Sequence, residues 1–405
     1  MKTRPFTHWR RKVGALAILS GAILAGANVT AIADAPKFGE IGPGKLTIDT
    51  RIRYEYIDGK GGADDVNGLG ERTRLGYSIA NEEGVAALVE IEDVRFADSK
   101  DRPGLDVPTT ELNQAWISAG GAKLGRQVYT LDDHRFIGHV GWRQNIQSFD
   151  ALTGALALDG QSKLNLAYLH SVRRINATSQ DLEGILLNAS RSFSDGLQLT
   201  AFGYFLDFDR PVLASSDTIG LRATGSLKGD AGNYSYSLSY AQQGDNSGSG
   251  RDFDLDYLAG ELNASASGIT LGAGFEILEG DGISGFTTPL ATVHKFNGFA
   301  DQFAGTSLGL AGGLSQGLVD YYAKLGFKIP EANIPVTLFY HHFETDSVDD
   351  FLGDEIDAVA TYKLNDYATF ITKYALYRAD SDGPENVAYG GRDKTVFTLE
   401  VNLNF

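Results

Sequence analysis

The last thirteen residues, Asp393–Phe405, read DKTVFTLEVNLNF without interruption. Thr395, Phe397, Leu399, Val401, Leu403 and Phe405 share one parity, and Val396, Thr398, Glu400, Asn402 and Asn404 the other. Strand side chains alternate with a period of two, so this stretch is a strand with one apolar and one mostly polar face, ending on an aromatic. A strand of a membrane-spanning barrel has this form, apolar toward lipid and polar toward a wet lumen. A half-buried strand of a soluble sandwich has it too, and the rest of the chain decides between them.

Working back from the C-terminus, alternating segments of about ten residues recur as far as Lys45. KLTIDTRIRYEY places Leu46, Ile48, Ile52, Tyr54 and Tyr56 on one face and Lys45, Asp49, Arg51, Arg53 and Glu55 on the other. ERTRLGYSI sets Thr73, Leu75, Tyr77 and Ile79 against Arg72, Arg74 and Ser78. VAALVEIED sets Val85, Val89 and Ile91 against Glu90 and Glu92. TELNQAWIS and KLGRQVY have no clear facing. FDALTGALAL, KLNLAYLHSV and their successors carry the pattern onward, to a total of about 18 segments.

The connections supply a second test. NEEG, SAGG, DGQS, SDG, KGDAG, SASG, IPEANIP and LND are short, and they alternate with long ones such as ADSKDRPGLDVP, Thr130–Ser148, Glu279–Gly317 and ETDSVDDFLG. Short periplasmic turns and long extracellular loops alternate in this way in a transmembrane barrel, and both termini fall on the short-turn side. The expected fold is therefore all-β, an antiparallel up-and-down transmembrane barrel.

The N-terminus agrees. Lys2, Arg4, Arg10, Arg11 and Lys12 precede an apolar, small-residue run over Val13–Ala27, and Ala31-Ile32-Ala33 forms a cleavage site. Residues 1–33 read as a secretory signal peptide and 34–405 as the barrel, exported to the outer membrane of a Gram-negative cell. The terminal strand ending in Phe405 is the expected address for the barrel-assembly machinery. The expected surroundings are outer-membrane lipid and lipopolysaccharide. No later run of about 18 apolar residues offers a spanning helix. The chain has no Cys, which fits export without disulfides. A net charge of -17 argues against nucleic-acid binding. Much of that acid lies in the long loops, at Asp64, Asp65, Asp98 to Asp106, Asp349, Asp350, Asp380 and Asp382, and reads as a solvated outer rim.

Chemistry should lie on the inward face. Arg51, Arg53, Arg72 and Arg74 sit on two neighbouring strands, and Arg222, Lys324, Lys328 and Lys373 also point inward by parity. Forked guanidinium groups suit carboxylates, and rings of Arg and Lys make anion-selective pores. Inward Asp49, Glu90, Glu92, Glu276, Asp357 and Glu400 oppose them, and a ladder of cross-strand ion pairs is the plainer reading of any single charge. The loop TLDDHRFIGHVGWRQNIQS, with His134, Arg135, His139, Trp142 and Arg143, is long enough to fold inward and narrow a barrel. Enzyme readings are weak. His341 and His342 are adjacent and point to opposite faces of a strand, no G-x-S-x-G elbow is present, and the Gly-rich GLAGGLSQG lacks the Lys-Ser/Thr of a phosphate loop. No cofactor or metal site is expected.

Four motifs carry a resemblance: GRQ at Gly125–Gln127, GWRQNIQSFDA at Gly141–Ala151, HKFNGFADQF at His294–Phe303 and GLVDYY at Gly317–Tyr322. With them the chain resembles the bacterial alginate export family over nearly all of residues 34–405. The resemblance implies an outer-membrane barrel of matching strand number, and a passage in which arginines meet an anionic polyuronate. Arg126 and Arg143 match the family pattern by position, and Arg51, Arg53, Arg72 and Arg74 suit the lumen role. The many inward carboxylates depart from that pattern. The expected function is passive passage of anionic saccharides or other small anions, with a general porin or a loop-plugged binding barrel as alternatives.

Overall fold

A computed structural model of the chain describes residues 44–59, 65–97, 106–194, 196–246, 250–304, 314–380 and 391–405. The expected signal peptide lies outside the described residues, as do parts of the acidic loops, including Asp64, Asp98 and Asp382. The 18 strands are β1 (Lys45–Gly59), β2 (Val66–Ala80), β3 (Ala86–Phe96), β4 (Thr109–Ala119), β5 (Ala122–Gln127), β6 (Ser148–Ala157), β7 (Ser162–Arg173), β8 (Ser179–Ser194) and β9 (Leu197–Phe208), then β10 (Ser216–Gly229), β11 (Gly232–Asp245), β12 (Asp254–Ala266), β13 (Ile269–Leu278), β14 (Leu318–Ile329), β15 (Ile334–Glu344), β16 (Phe351–Lys363), β17 (Ala368–Ala379) and β18 (Lys394–Asn404). Each pairs antiparallel with its neighbours in sequence.

The sheet closes on itself where β1 meets β18, in register from Asp49 opposite Asn404 to Gly59 opposite Lys394. Ile48 and Phe405 finish the seam with two backbone hydrogen bonds of 3.1 and 2.8 Å. Closure leaves no strand edge to be satisfied by lipid, which is what permits a sheet to cross a bilayer.

The alternation places apolar side chains on the outer surface: Leu46, Ile52, Leu75, Tyr77, Val89, Ile91, Leu221, Leu262, Leu271, Ile356 and Leu399 are all exposed in the isolated chain. The inward set expected from parity on β1, β2 and β3 is buried or half-buried, except Lys45 at the strand end, which is exposed. The ambiguous facing of TELNQAWIS has a definite cause. Glu90 pairs with Gln114 and Ile91 with Leu112, so Asn113 is an extra residue, a bulge. Both amides of Asn113 and Gln114 therefore turn inward, donating to Glu90 Oε1 at 2.6 and 3.0 Å. A bulge shifts the parity of everything beyond it.

The inward face differs from the polar lumen expected of a simple pore. Phe149, Leu169, Val172, Leu182, Leu186, Phe202, Tyr204, Leu206, Phe208, Leu255, Tyr257, Leu278, Phe343 and Tyr377 are buried inside the barrel, in the half of each strand next to the long loops. They pack against Leu131, Ile137, Phe286, Leu290, Ala300, Phe303 and Leu314, which belong to two long connections folded into the lumen. The outer half of the barrel thus has a hydrophobic core of its own, with each large side chain contributing about 1.5–3 kcal/mol by burial.

Candidate functional site

Two inner loops build the site. The first, residues 128–147 between β5 and β6, is the loop expected to narrow the barrel. The second, residues 279–317 between β13 and β14, is the other long connection that motivates the loop-plugged alternative, and its described part also folds inward. The two join by backbone. Ile137 and Leu290 form a parallel bridge, Gly138 N–H donates to Leu290 O at 2.8 Å, and Thr292 N–H donates to His134 O at 2.9 Å. Gly138 leaves room for this approach, because a Cβ there would lie 2.2 Å from Thr292 Oγ1.

Two of the stretches that carry the resemblance meet face to face. Trp142 from GWRQNIQSFDA stacks on His294 from HKFNGFADQF, with ring centroids 3.4 Å apart and planes inclined by 13°. Three cations lie over the Trp142 ring: Arg143 at 4.6 Å, Arg53 at 5.3 Å and Lys373 at 5.5 Å. Lys373 Nζ donates to His294 Nε2 at 2.8 Å, so the imidazole is neutral and its Nδ1–H donates to Asp301 at 3.0 Å. Burial, assisted by Lys373 and Arg53 and opposed by Asp301, lowers the His294 pKa to about 4. His139, on the adjoining turn, is likewise lowered to about 4, chiefly by burial. Asp106 and Glu55 hold Arg143 firmly charged, at 3.2 and 3.1 Å. Asp106 is consequently buried rather than part of a solvated rim.

The residues singled out from sequence fall into several groups. Arg51, Arg53, Arg143 and Lys373 converge on Trp142 and its turn. Arg53 forks onto Glu400 with contacts of 3.0 and 2.8 Å and also donates to Trp142 O. Arg51 donates to Asn402 Oδ1 at 2.8 Å and to three successive carbonyls, Gly141, Trp142 and Arg143, at 3.0–3.1 Å. Next to them on the same wall, Arg72 pairs with Asp49, and Arg74 Nε with Glu92 at 2.6 Å. Further along the wall, Arg126 forks onto Asp150 with two contacts of 2.8 Å. Lys324 stands apart and pairs with Glu261 at 2.9 Å. Glu90 is occupied by the two amides of the bulge. The adjacent histidines diverge as parity requires: His341 turns inward to Asp320 and His342 outward to Asp354.

Most of these charges are therefore partnered. Some guanidinium donors are not. Among the described residues, Arg72 Nε and Nη1, Arg74 Nη2 and Arg53 Nη1 are buried without a hydrogen-bond acceptor, and so is Trp142 Nε1. Glu92 Oε1 and Glu111 Oε1 are acceptors in the same position. Sequence reasoning passed over the buried pair Arg135–Glu276, at 2.6 and 3.1 Å, which anchors the first inner loop to β13 with help from Tyr257 and Asn297. The signal was available as an inward Glu276 opposite a loop arginine, but no spacing rule links residues so distant in sequence.

A model of the alginate export family matches residues 43–374. The chain belongs to the alginate export family. No match was found among curated proteins. Solved structures share the fold. OccAB4 of Acinetobacter baumannii is 12% identical with a TM-score of 0.67, over 91% of this chain and 100% of that one. The outer membrane protein opdK from Pseudomonas aeruginosa is 13% identical with a TM-score of 0.69, over 91% and 100%. OpdK of the same organism, solved with vanillate, is 12% identical with a TM-score of 0.68, over 89% and 98%. Family and barrel together make the protein an outer-membrane channel of the porin type. Within it, the stretches GWRQNIQSFDA and HKFNGFADQF meet at the Trp142–His294 stack.

Proposed function

We propose that this member of the alginate export family passes anionic saccharides or other small anions across the outer membrane by diffusion, after export under the signal peptide of residues 1–33. The observation that carries this reading is the set of buried guanidinium donors without acceptors at Arg72, Arg74 and Arg53, beside the inner loop. A guanidinium donor out of water and without a partner is costly, and a carboxylate that reaches it by displacing the side chains covering it satisfies it with forked, charge-assisted geometry. Arg72 and Arg74 are the selectivity residues in this account. Arg126, Lys324 and the carboxylates Glu90 and Glu92 line the rest of the path, and no energy source is invoked. The OpdK structure with vanillate shows a barrel of this shape holding a small organic ligand, which supports the size class.

A second reading is a general porin. The pairing of Arg53, Arg72, Arg74, Arg126, Arg143, Arg173, Arg222 and Lys324 with carboxylates favours it, because a neutralised wall discriminates weakly. Swelling of vesicles containing the barrel separates the two. Sugar acids should enter faster than neutral sugars of equal size, and Arg72→Gln with Arg74→Gln should abolish the difference. Equal rates for both solutes in the parent would establish the general porin. No uptake of either would mean that the inner loops close the barrel.

A further inference from the structure

Arg51 faces the inner loop, not open lumen. Its Nη1 lies 3.0, 3.1 and 3.0 Å from the carbonyl oxygens of Gly141, Trp142 and Arg143. Three successive carbonyls pointing one way are the arrangement at the open end of a helical turn, where a cation is favoured. Here the turn is made locally, by Arg143 N–H donating to Val140 O at 3.0 Å. On the far side Asn402 Oδ1 fixes Arg51 Nε at 2.8 Å. Arg53 adds a fourth link, to Trp142 O.

The turn would not hold this shape unaided. Val140 has φ 54°, a left-handed conformation that a β-branched residue rarely adopts. Its N–H is held by Thr292 Oγ1 at 3.0 Å, and Gln147 N–H donates to His139 O at 2.8 Å. Backbone held away from its preference persists only where surrounding contacts over-determine it, and such places are drawn to function.

We propose that Arg51 is a positioning residue: it caps the carbonyls of residues 141–143, holds the first inner loop against the β1 wall, and so sets how far the passage is open. This rests on the channel reading. It gives Arg51 a role different from that of Arg72 and Arg74, which have donors to spare for a solute. Loss of Arg51 frees a turn with an unfavourable backbone conformation, and the loop leaves the wall.

The test uses Trp142 as its reporter. Trp116 is the other tryptophan of residues 34–405, so Trp116→Phe makes the signal specific. In that background, Arg51→Gln is compared with its parent by single-channel conductance, reversal potential and acrylamide quenching of Trp142. The exposed fraction of Trp142 should rise about ten-fold, as expected for losing charge-assisted hydrogen bonds. Conductance should rise with it, while the reversal potential moves less than in the Arg72/Arg74 variant. Arg51→Lys, which keeps the charge, should restore much of the parent behaviour. If Arg51→Gln does not fold, Asn402→Ala removes the brace on Nε and should shift the same readouts in the same direction by less. Unchanged quenching and conductance overturn the proposal, as does a shift in selectivity alone. A parent barrel that conducts nothing refutes the channel reading, and quenching then still tests what Arg51 holds.

Discussion

Acidification should unlatch the two inner loops, and the effect can be worked from His294. The imidazole is buried against Trp142 and accepts from Lys373 Nζ while donating to Asp301. A proton on Nε2 would abolish the first contact and face Lys373 and Arg53 with a like charge. The latched pKa is about 4 against 6.5 for a free imidazole. The group's folded value is lowered, so the unlatched loop binds the proton more readily. The latch is then at full strength above about pH 6.5 and weakens as pH falls toward 4. The full difference corresponds to about 3 kcal/mol, of which about 2 kcal/mol is lost by pH 5, raising the unlatched population roughly 30-fold. Asp301, itself held below the usual carboxylate range by its partner despite burial, stays charged across this window. Acrylamide quenching of Trp142 in the Trp116→Phe background reads the opening directly. His294→Phe keeps the stack and removes the titration, so its acid response should shrink to the part that His139 contributes. A flat response between pH 7 and 5, or an undiminished one in His294→Phe, would refute the reasoning.

Two further outcomes follow from burial and facing. Arg135→Ala leaves Glu276 buried with only Tyr257 and Asn297 as donors, and should cost about 3–5 kcal/mol in urea unfolding of the inner loops; adding Glu276→Gln should recover part of it. Leu221, exposed on the outer surface of β10, faces lipid in this account. Leu221→Arg should destabilise the barrel in vesicles by about 2–4 kcal/mol, and a neutral result would mean that the facing of β10 is reversed.

The barrel was legible because its rule is local. Alternation with a period of two and turns of alternating length are properties of short windows, and they placed the strands and most of their facing. They weakened where a single extra residue, Asn113, broke the parity. The inner core was harder to see. β8 and β9 carry apolar residues on both parities, with Ile185, Leu187 and Phe205 outward and Leu182, Leu186, Phe202 and Tyr204 inward. That double pattern signals protein on the inner side, but it does not name the partner. The site was legible in its membership, since Arg51, Arg53, Arg143 and Lys373 all reach the same turn. Their division of labour was not, because pairing between β1, β18 and two loops joins residues separated by hundreds of positions. The motifs at Gly141–Ala151 and His294–Phe303 stood out as family features, and only the fold shows that they meet.

The most direct measurement is the reversal potential of the purified barrel in a planar bilayer under a salt gradient, repeated with short oligouronates added. Anion selectivity with concentration-dependent block is the predicted result. Cation selectivity without block would contradict the account, because it would mean that the inward carboxylates, not Arg72 and Arg74, govern the passage.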